Sequence, residues 1–496
     1  MTLSLTWQWI ILALVALGAG LLTAVWPMGL AIPLVLAIAG YGAYRIFNQP
    51  LLGVLGVIFF LPFERVGGFD LGGINLRIHQ MIALLTIAAL LWQKIRLGQM
   101  RFRSNPLLIP LAIFLLSYLV SVLHAINLQR AVMVYAFTVL VVVVALLVVE
   151  LIRNREQLKQ AHKVLLITAF GVSAFGLFQF VGDGIGLPPS VTMIREHWYN
   201  KEVIGVTRVH STALEPLYFA NFMLILLPTT LAMVITQTRK RLWGSFKGRG
   251  LDPKDLPFSI GWLIVMLMTM GLAFVLTLSR GGYLALAAAA LVVFVLCFRD
   301  LLTKRVLLLG GSTALIGLLV LGITSIADSD LNFDFIIARS TSFAETGADL
   351  ERLDAYRSGM DAFWQSPWFG VGPGNFGAFQ TAWPSGAPPE GWGIVNNEYI
   401  ELLAEAGLVG FALFAIAIGL LLWRLVLAWA TCRDPFLSIL LVGALGSFAG
   451  IFTQYISFST LYIMHLWVFI GLSTALILLV EKRQRASPPT LEEIVK

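Results

Sequence analysis

The sequence predicts an all-α polytopic membrane protein, with about 14 transmembrane helices (12–14) and one large outer loop containing short helices. Three observations carry this. Of 496 residues, 58% are apolar and only 12% are charged, and mean hydropathy is +0.86. A soluble domain carries roughly 25% charged residues, so a soluble enzyme or a disordered chain is excluded. Apolar runs of about 20 residues, each long enough to span a bilayer, recur along the chain. Lys and Arg then fall mainly in alternate loops.

The candidate spans, in order, are 7–26, 28–44, 49–64, 77–93, 105–124, 128–150, 160–182, 213–236, 259–278, 281–298, 306–326, 398–423, 436–456 and 461–480. No Lys or Arg precedes Arg45, so the start lacks a signal peptide's basic region and reads as a retained first span. Segment 49–64 is short and flanked by Pro50 and Pro62; it reads as a span or a re-entrant segment. With both termini cytoplasmic, 24 of the 34 Lys and Arg lie inside. Cys297 and Cys432, the two cysteines, build no disulfide framework. The chain thus divides into helices over 1–326 with an outer loop at about 183–212, a large outer loop over 327–397, C-terminal helices over 398–480 and a tail at 481–496. Within the large loop, 350–365 reads as an amphipathic helix that Asp349 can cap and Pro367 follows. Leu353, Tyr356, Met360 and Phe363 share one face.

Ten basic residues fall on the outer side: Arg65, Arg77, Arg130, Arg195, Lys201, Arg208, Arg280, Arg339, Arg352 and Arg357. Outward arginine opposes the charge rule, so these positions are the first place to seek an anion site. Arg280 lies in Leu278-Ser-Arg-Gly-Gly-Tyr283, where a helix begins. A cation there opposes the macrodipole unless an anion sits between them, although an arginine snorkelling to headgroups reads equally well. Arg208 and His210 precede the next cluster, in which Glu215 is either a base or, with Thr212, a capping box. Arg352 opens the loop helix, with Tyr356 one turn on; Arg357 can pair with Asp361. Trp364, Trp368, Trp383 and Trp392 are sugar-stacking platforms or an interface belt. Asn396 or Asn397 can cap the helix carrying Glu398 and Glu401, carboxylates placed to take a proton. Span centres carry almost no ionisable groups, which argues against a coupled transporter.

Four pieces resemble the O-antigen ligase and O-antigen polymerase (Wzy-type) superfamily of bacterial inner-membrane proteins. They are Arg208 to Pro228 with Glu215-Pro-Leu-Tyr-Phe-Ala220, the Ser279-Arg-Gly turn, Arg352 to Phe376 with Phe369-Gly-Val-Gly-Pro-Gly374, and Asn397 to Gly410. The resemblance covers about residues 200–425. It implies a multi-pass inner-membrane glycosyltransferase whose large loop is periplasmic. The enzyme would take glycan from an undecaprenyl-pyrophosphate carrier, with inversion and without cofactor, metal or nucleic acid. It also implies that Arg208, Arg280 and Arg352 hold the pyrophosphate and that a chain-length regulator protein can be a partner; Trp383, Trp392 and Tyr356 are the aromatic candidates to meet sugar. Ligases of this family carry His-Asn at the loop exit; here Asn396-Asn397 stands there, and a neutral amide cannot be the base. The resemblance therefore leans to a polymerase of exopolysaccharide or lipopolysaccharide repeat units, with Glu398 or Glu215 as base and Asn396 beside them. The alternatives are a ligase to lipid A core or protein, an inorganic-carbon-like solute transporter, and a non-catalytic assembly partner.

Overall fold

The computed structural model describes residues 31–71, 74–194, 202–203, 206–243, 252–298, 347–382, 384–386 and 392–486. Candidate spans 7–26 and 306–326 lie outside them, as do Trp383, Arg195, Lys201 and Arg339. The helices are α1 (Ala31–Asn48), α2 (Pro50–Phe60), α3 (Ile78–Arg96), α4 (Leu108–Val122), α5 (Leu128–Leu151), α6 (Arg155–Gly184) and α7 (Pro216–Trp243). There follow α8 (Ile260–Val275), α9 (Arg280–Phe298), α10 (Gly347–Gln365), α11 (Phe376–Thr381), α12 (Glu398–Thr431), α13 (Pro435–Gln454) and α14 (Met464–Ala486).

Eight of these are long and apolar enough to cross a membrane: α3, α5, α6, α7, α9, α12, α13 and α14. Segments 50–63, 108–122 and 260–275 are shorter apolar helices. The chain is a multi-pass helical membrane protein. Two small antiparallel hairpins also occur, β1 (Gly68–Leu71) with β2 (Ile74–Arg77), and β3 (Glu202–Val203) with β4 (Val206–Thr207).

Helices α7, α13 and α14 form the buried centre, and α9 packs on α13 beside α7. Bilayer lipid is as apolar as leucine, so close packing has to bring these helices together. Gly446 and Gly450, four residues apart on α13, supply it. A β-carbon at Gly446 would lie 2.7 Å from Val293 of α9 and 3.2 Å from Pro228 of α7, and one at Gly450 would lie 3.0 Å from the Ala285 carbonyl.

Helix α12 is one apolar run in sequence but two helices in space. Gly407 breaks it at φ 66°, ψ −174°, a conformation open essentially to glycine alone. The Gly-rich segment 367–372 mends the break. Val371 and Gly372 donate to the carbonyls of Ala404 and Glu405 at 2.8 and 3.2 Å, while Leu408 and Val409 donate to the carbonyls of Pro367 and Trp368 at 2.8 and 3.1 Å. Unpaired backbone at membrane depth costs several kcal/mol per group, so the segment is part of the fold and not merely a turn.

Three expectations change in detail. Helix α10 begins at Gly347, and its buried face is the small-residue row Ala355, Gly359 and Ala362, with Leu353 exposed. Gly359 lets Ile400 of α12 approach too closely for any β-carbon. Arg357 pairs with Asp354 at 3.3 Å rather than with Asp361. The last helix continues through Ala486, into the segment read as tail.

Candidate functional site

Ion pairs sort into two groups of residues. Lys94, Arg153 and Glu150 join each other, and so do Arg155, Asp255, Asp434 and Arg483; Arg424 joins Glu481. All these basic residues belong to the loops read as cytoplasmic. Arg65 and Glu215 pair at 2.6 Å, and Glu64 lies between His79 and His465. These belong to the segments read as outer.

Glu215 is the centre of the second group. It precedes α7, and Phe219 N–H donates to its carbonyl at 3.1 Å. No capping box forms: Thr212 Oγ1 donates to the Pro62 carbonyl at 2.7 Å, which leaves the Glu215 carboxylate to Arg65. Burial pushes the Glu215 carboxyl above its ordinary range, and the positive charges of Arg65, Arg208 and Arg352 all oppose that rise. Three arginines from distant parts of the chain therefore bear on one carboxylate.

Each arginine is placed by local structure. Arg65 follows the short 3-10 turn Leu61–Phe63 and lies over the Tyr218 ring, 4.1 Å from its centroid. Arg208 is 6% exposed; its Nε donates to the Thr277 carbonyl at 2.9 Å, and Val209 N–H donates to the Leu276 carbonyl at 2.9 Å. The segment before α7 is thus tied to the α8–α9 turn, where Leu278 sits at φ 51° and Ser279 Oγ caps Gly282 N–H at 3.1 Å. Arg280 is the first residue of α9, as expected. Arg352 lies in the second turn of α10, half-buried.

The turn between α13 and α14, residues 455–463, joins the remaining motifs. Glu398 accepts from Thr460 N–H, and its own N–H donates to the Tyr455 carbonyl at 2.9 Å. Asn397 caps α12 through Tyr399 and Ile400 N–H and also donates to the Ile456 carbonyl at 3.1 Å. Tyr356 donates to the Ile456 carbonyl at 3.2 Å. Gly281, beside Arg280, packs against Ser457. Asn396 is half-buried in the left-handed region at φ 59°, which Asn tolerates better than most residues. Glu401 accepts from Val395 N–H at 2.8 Å, and Glu405 accepts from Gly374 and Phe376 N–H at 2.8 and 3.3 Å.

Beside this network lies a cavity of about 390 Å3. Its lining includes Glu64, Arg65, Arg77, Arg130, Tyr218 and Thr460. Arg77 donates to the Arg65 carbonyl at 3.2 Å, and Arg130 lies 5.1 Å from the Trp392 ring centroid. Glu215 and Glu398, the two carboxylates selected from sequence, do not line it. Arg65, Arg77 and Arg130 stood among the outward arginines, but the sequence carried no sign that a cavity joins them. Glu64 was missed altogether. Its signal was its place beside Arg65 at the end of the short, Pro-flanked segment 49–64. Trp364 and Trp368 are 68% and 63% exposed on α10 and just beyond it, as an interface belt would be.

Residues 265–415 match the family model described as O-antigen ligase. That stretch holds Arg280, Arg352, the Gly-rich segment and the first half of α12, while Arg65, Arg208 and Glu215 precede it. No curated protein matches the chain.

Proposed function

From a chain whose match supports the O-antigen ligase and polymerase superfamily, we propose a polysaccharide polymerase that joins lipid-linked glycan repeat units. The match to the O-antigen ligase model supports glycan transfer of the ligase or polymerase type. The pyrophosphate site rests on one observation: Arg65 pairs with Glu215 at 2.6 Å beside a cavity, and the charges of Arg208 and Arg352 bear on the same carboxylate. A cluster of guanidinium groups in a low-dielectric setting fits a pyrophosphate, whose leaving charge it would stabilise. Arg208 and Arg280 flank one turn, and both would face the carrier's pyrophosphate at the periplasmic surface. Arg352 would close over it from α10. Trp392, with Arg130 over its ring, would meet a sugar, and Tyr356 would act as a brace for the 455–463 turn.

Polymerase is favoured over ligase because Asn396 occupies the position where the ligases that this chain resembles carry His. The experiment uses purified protein in lipid with a short undecaprenyl-pyrophosphate-linked oligosaccharide and no other acceptor. The expected result is a ladder of longer lipid-linked products with release of undecaprenyl pyrophosphate. Product only after lipid A core or protein is added would make the chain a ligase. Solute uptake without either product would overturn glycan transfer in favour of transport.

A further inference from the structure

We propose that the cavity beside the arginine cluster is the acceptor subsite, and that Glu64 is the general base that takes the proton from the acceptor hydroxyl. The inference rests on the glycan-transfer reading above and goes beyond it by assigning the base and the acceptor's place.

Three polar side-chain atoms in the cavity lining have no hydrogen-bond partner among the described residues: Glu64 Oε2, Arg130 Nε and Thr460 Oγ1. Buried polar groups are normally paired, and an orphan calls for an explanation. The three residues line a single space of about 390 Å3, and between them they carry one acceptor, one donor and one hydroxyl that can do either. A sugar ring with its hydroxyls supplies the complementary set. Tyr218 and Tyr462 add aromatic walls of the kind sugars pack against.

Glu64 is held for this role from its other side. Its Oε1 accepts from Met464 N–H at 3.1 Å, so one oxygen is fixed, and the second has no hydrogen-bond partner among the described residues. His79 Nε2 lies 3.9 Å from Oε1, and His465 Nδ1 lies 3.9 Å from Oε2. His465 Nε2 is 2.7 Å from Asn221 Oδ1, and Asn221 donates to Gln454 at 2.8 Å. This buried polar chain orients the imidazole behind the carboxylate. Glu64 and Arg65 are sequence neighbours with different duties: Arg65 reaches Glu215 and the arginine cluster, and Glu64 borders the cavity. One short turn therefore sets the distance between leaving group and acceptor.

The step balances as follows. The acceptor hydroxyl oxygen forms a bond to the anomeric carbon. The bond from that carbon to the pyrophosphate oxygen breaks, and its electron pair leaves with the pyrophosphate toward the arginines. The hydroxyl proton passes to the Glu64 carboxylate. Glu215 and Glu398 are already committed, to Arg65 and to Thr460 N–H respectively, so they position the cluster and the 455–463 turn.

The test uses the full chain in lipid with the undecaprenyl-pyrophosphate-linked oligosaccharide as donor and acceptor. Glu64→Gln keeps an oxygen for Met464 N–H but cannot take a proton. Loss of a general base typically costs 10²–10⁴-fold, so kcat should fall about 100-fold or more with KM little changed, and Glu64→Asp should retain part of the rate. The wild-type rate should rise with pH through the ionisation of Glu64, and Glu64→Gln should lose that limb. The titratable and charged groups around Glu64 are Arg65, Arg77, His79, Tyr218 and His465, and Arg130 lines the same cavity. Thr460→Ala should raise KM several-fold with kcat nearly kept, a readout that remains if Glu64→Gln does not fold. Wild-type product with an equally active Glu64→Gln, or an unchanged KM in Thr460→Ala, would overturn the assignment and leave glycan transfer standing. A wild-type chain that makes no product with any acceptor would overturn the glycan-transfer reading itself.

Discussion

Arg208 and Arg280 act from fixed backbone. Arg208 is buried and its Nε is held by the Thr277 carbonyl, while Arg280 starts a helix capped by Ser279. A lysine would keep the charge but lose the planar fork that grips a phosphate through two parallel hydrogen bonds. Arg280→Ala should therefore abolish product, and Arg280→Lys should recover only a minor part, with both variants eluting and melting like the wild type. Full-length polymer from Arg280→Ala would remove the pyrophosphate role. Asn396→Ala should be milder, because Asn397 and not Asn396 caps α12. At φ 59°, alanine at 396 costs about 1 kcal/mol in stability, read as a lower melting temperature. The outward arginines were legible in the sequence because each breaks the charge rule. Glu64 was not: nothing in a Pro-flanked apolar run says that its last turn meets the ends of α3 and α14.

At the scale of elements, most helices could be read from apolar length, since one-dimensional hydropathy is enough to locate a bilayer-facing helix. The break in α12 could not. Gly407 sits within an unbroken apolar pattern, and glycine within a helical pattern ordinarily signals no more than a modest cost. The role of the Gly-rich segment 367–372 could not be read either, because its partners lie some 35 residues further on and carry no local signature. Gly407→Ala tests the junction. A β-carbon there would lie 2.4 Å from the Trp368 carbonyl carbon and the Phe369 nitrogen, and the backbone region itself costs 1–3 kcal/mol for other residues. A loss of at least about 2 kcal/mol is expected, measured by thermal unfolding in lipid. Gly370→Ala would press on Glu405 of the same junction, so the double variant should lose less than the sum of the singles. Full additivity would mean that the break and the loop do not form one unit.

For the whole molecule, Glu64 ties three distant regions together: the turn after α2, the start of α3 through His79, and the start of α14 through Met464 and His465. Burial pushes its carboxyl up to about 7, against the opposing pull of Met464 N–H, Arg65 and Arg77. The folded chain then holds this proton more tightly than the unfolded chain, whose value is near 4.5. Between these two values the folded state binds more protons, so stability falls as pH rises. The contribution is fully present below about 4.5, is lost progressively up to about 7, and amounts to roughly 3 kcal/mol across the window. Glu215 is raised too and adds a slope of the same sign. Melting temperature measured in lipid from pH 4.5 to 8 should therefore decline for the wild type and decline less for Glu64→Gln. The difference between the two curves isolates Glu64, because Glu215 and the histidines are common to both. Parallel curves would mean that Glu64 is ionised throughout, and the catalytic limb assigned to it would then have to move below pH 5. A difference confined to the window from 4.5 to 7 would link the stability of the bundle to the proton that the transfer step needs.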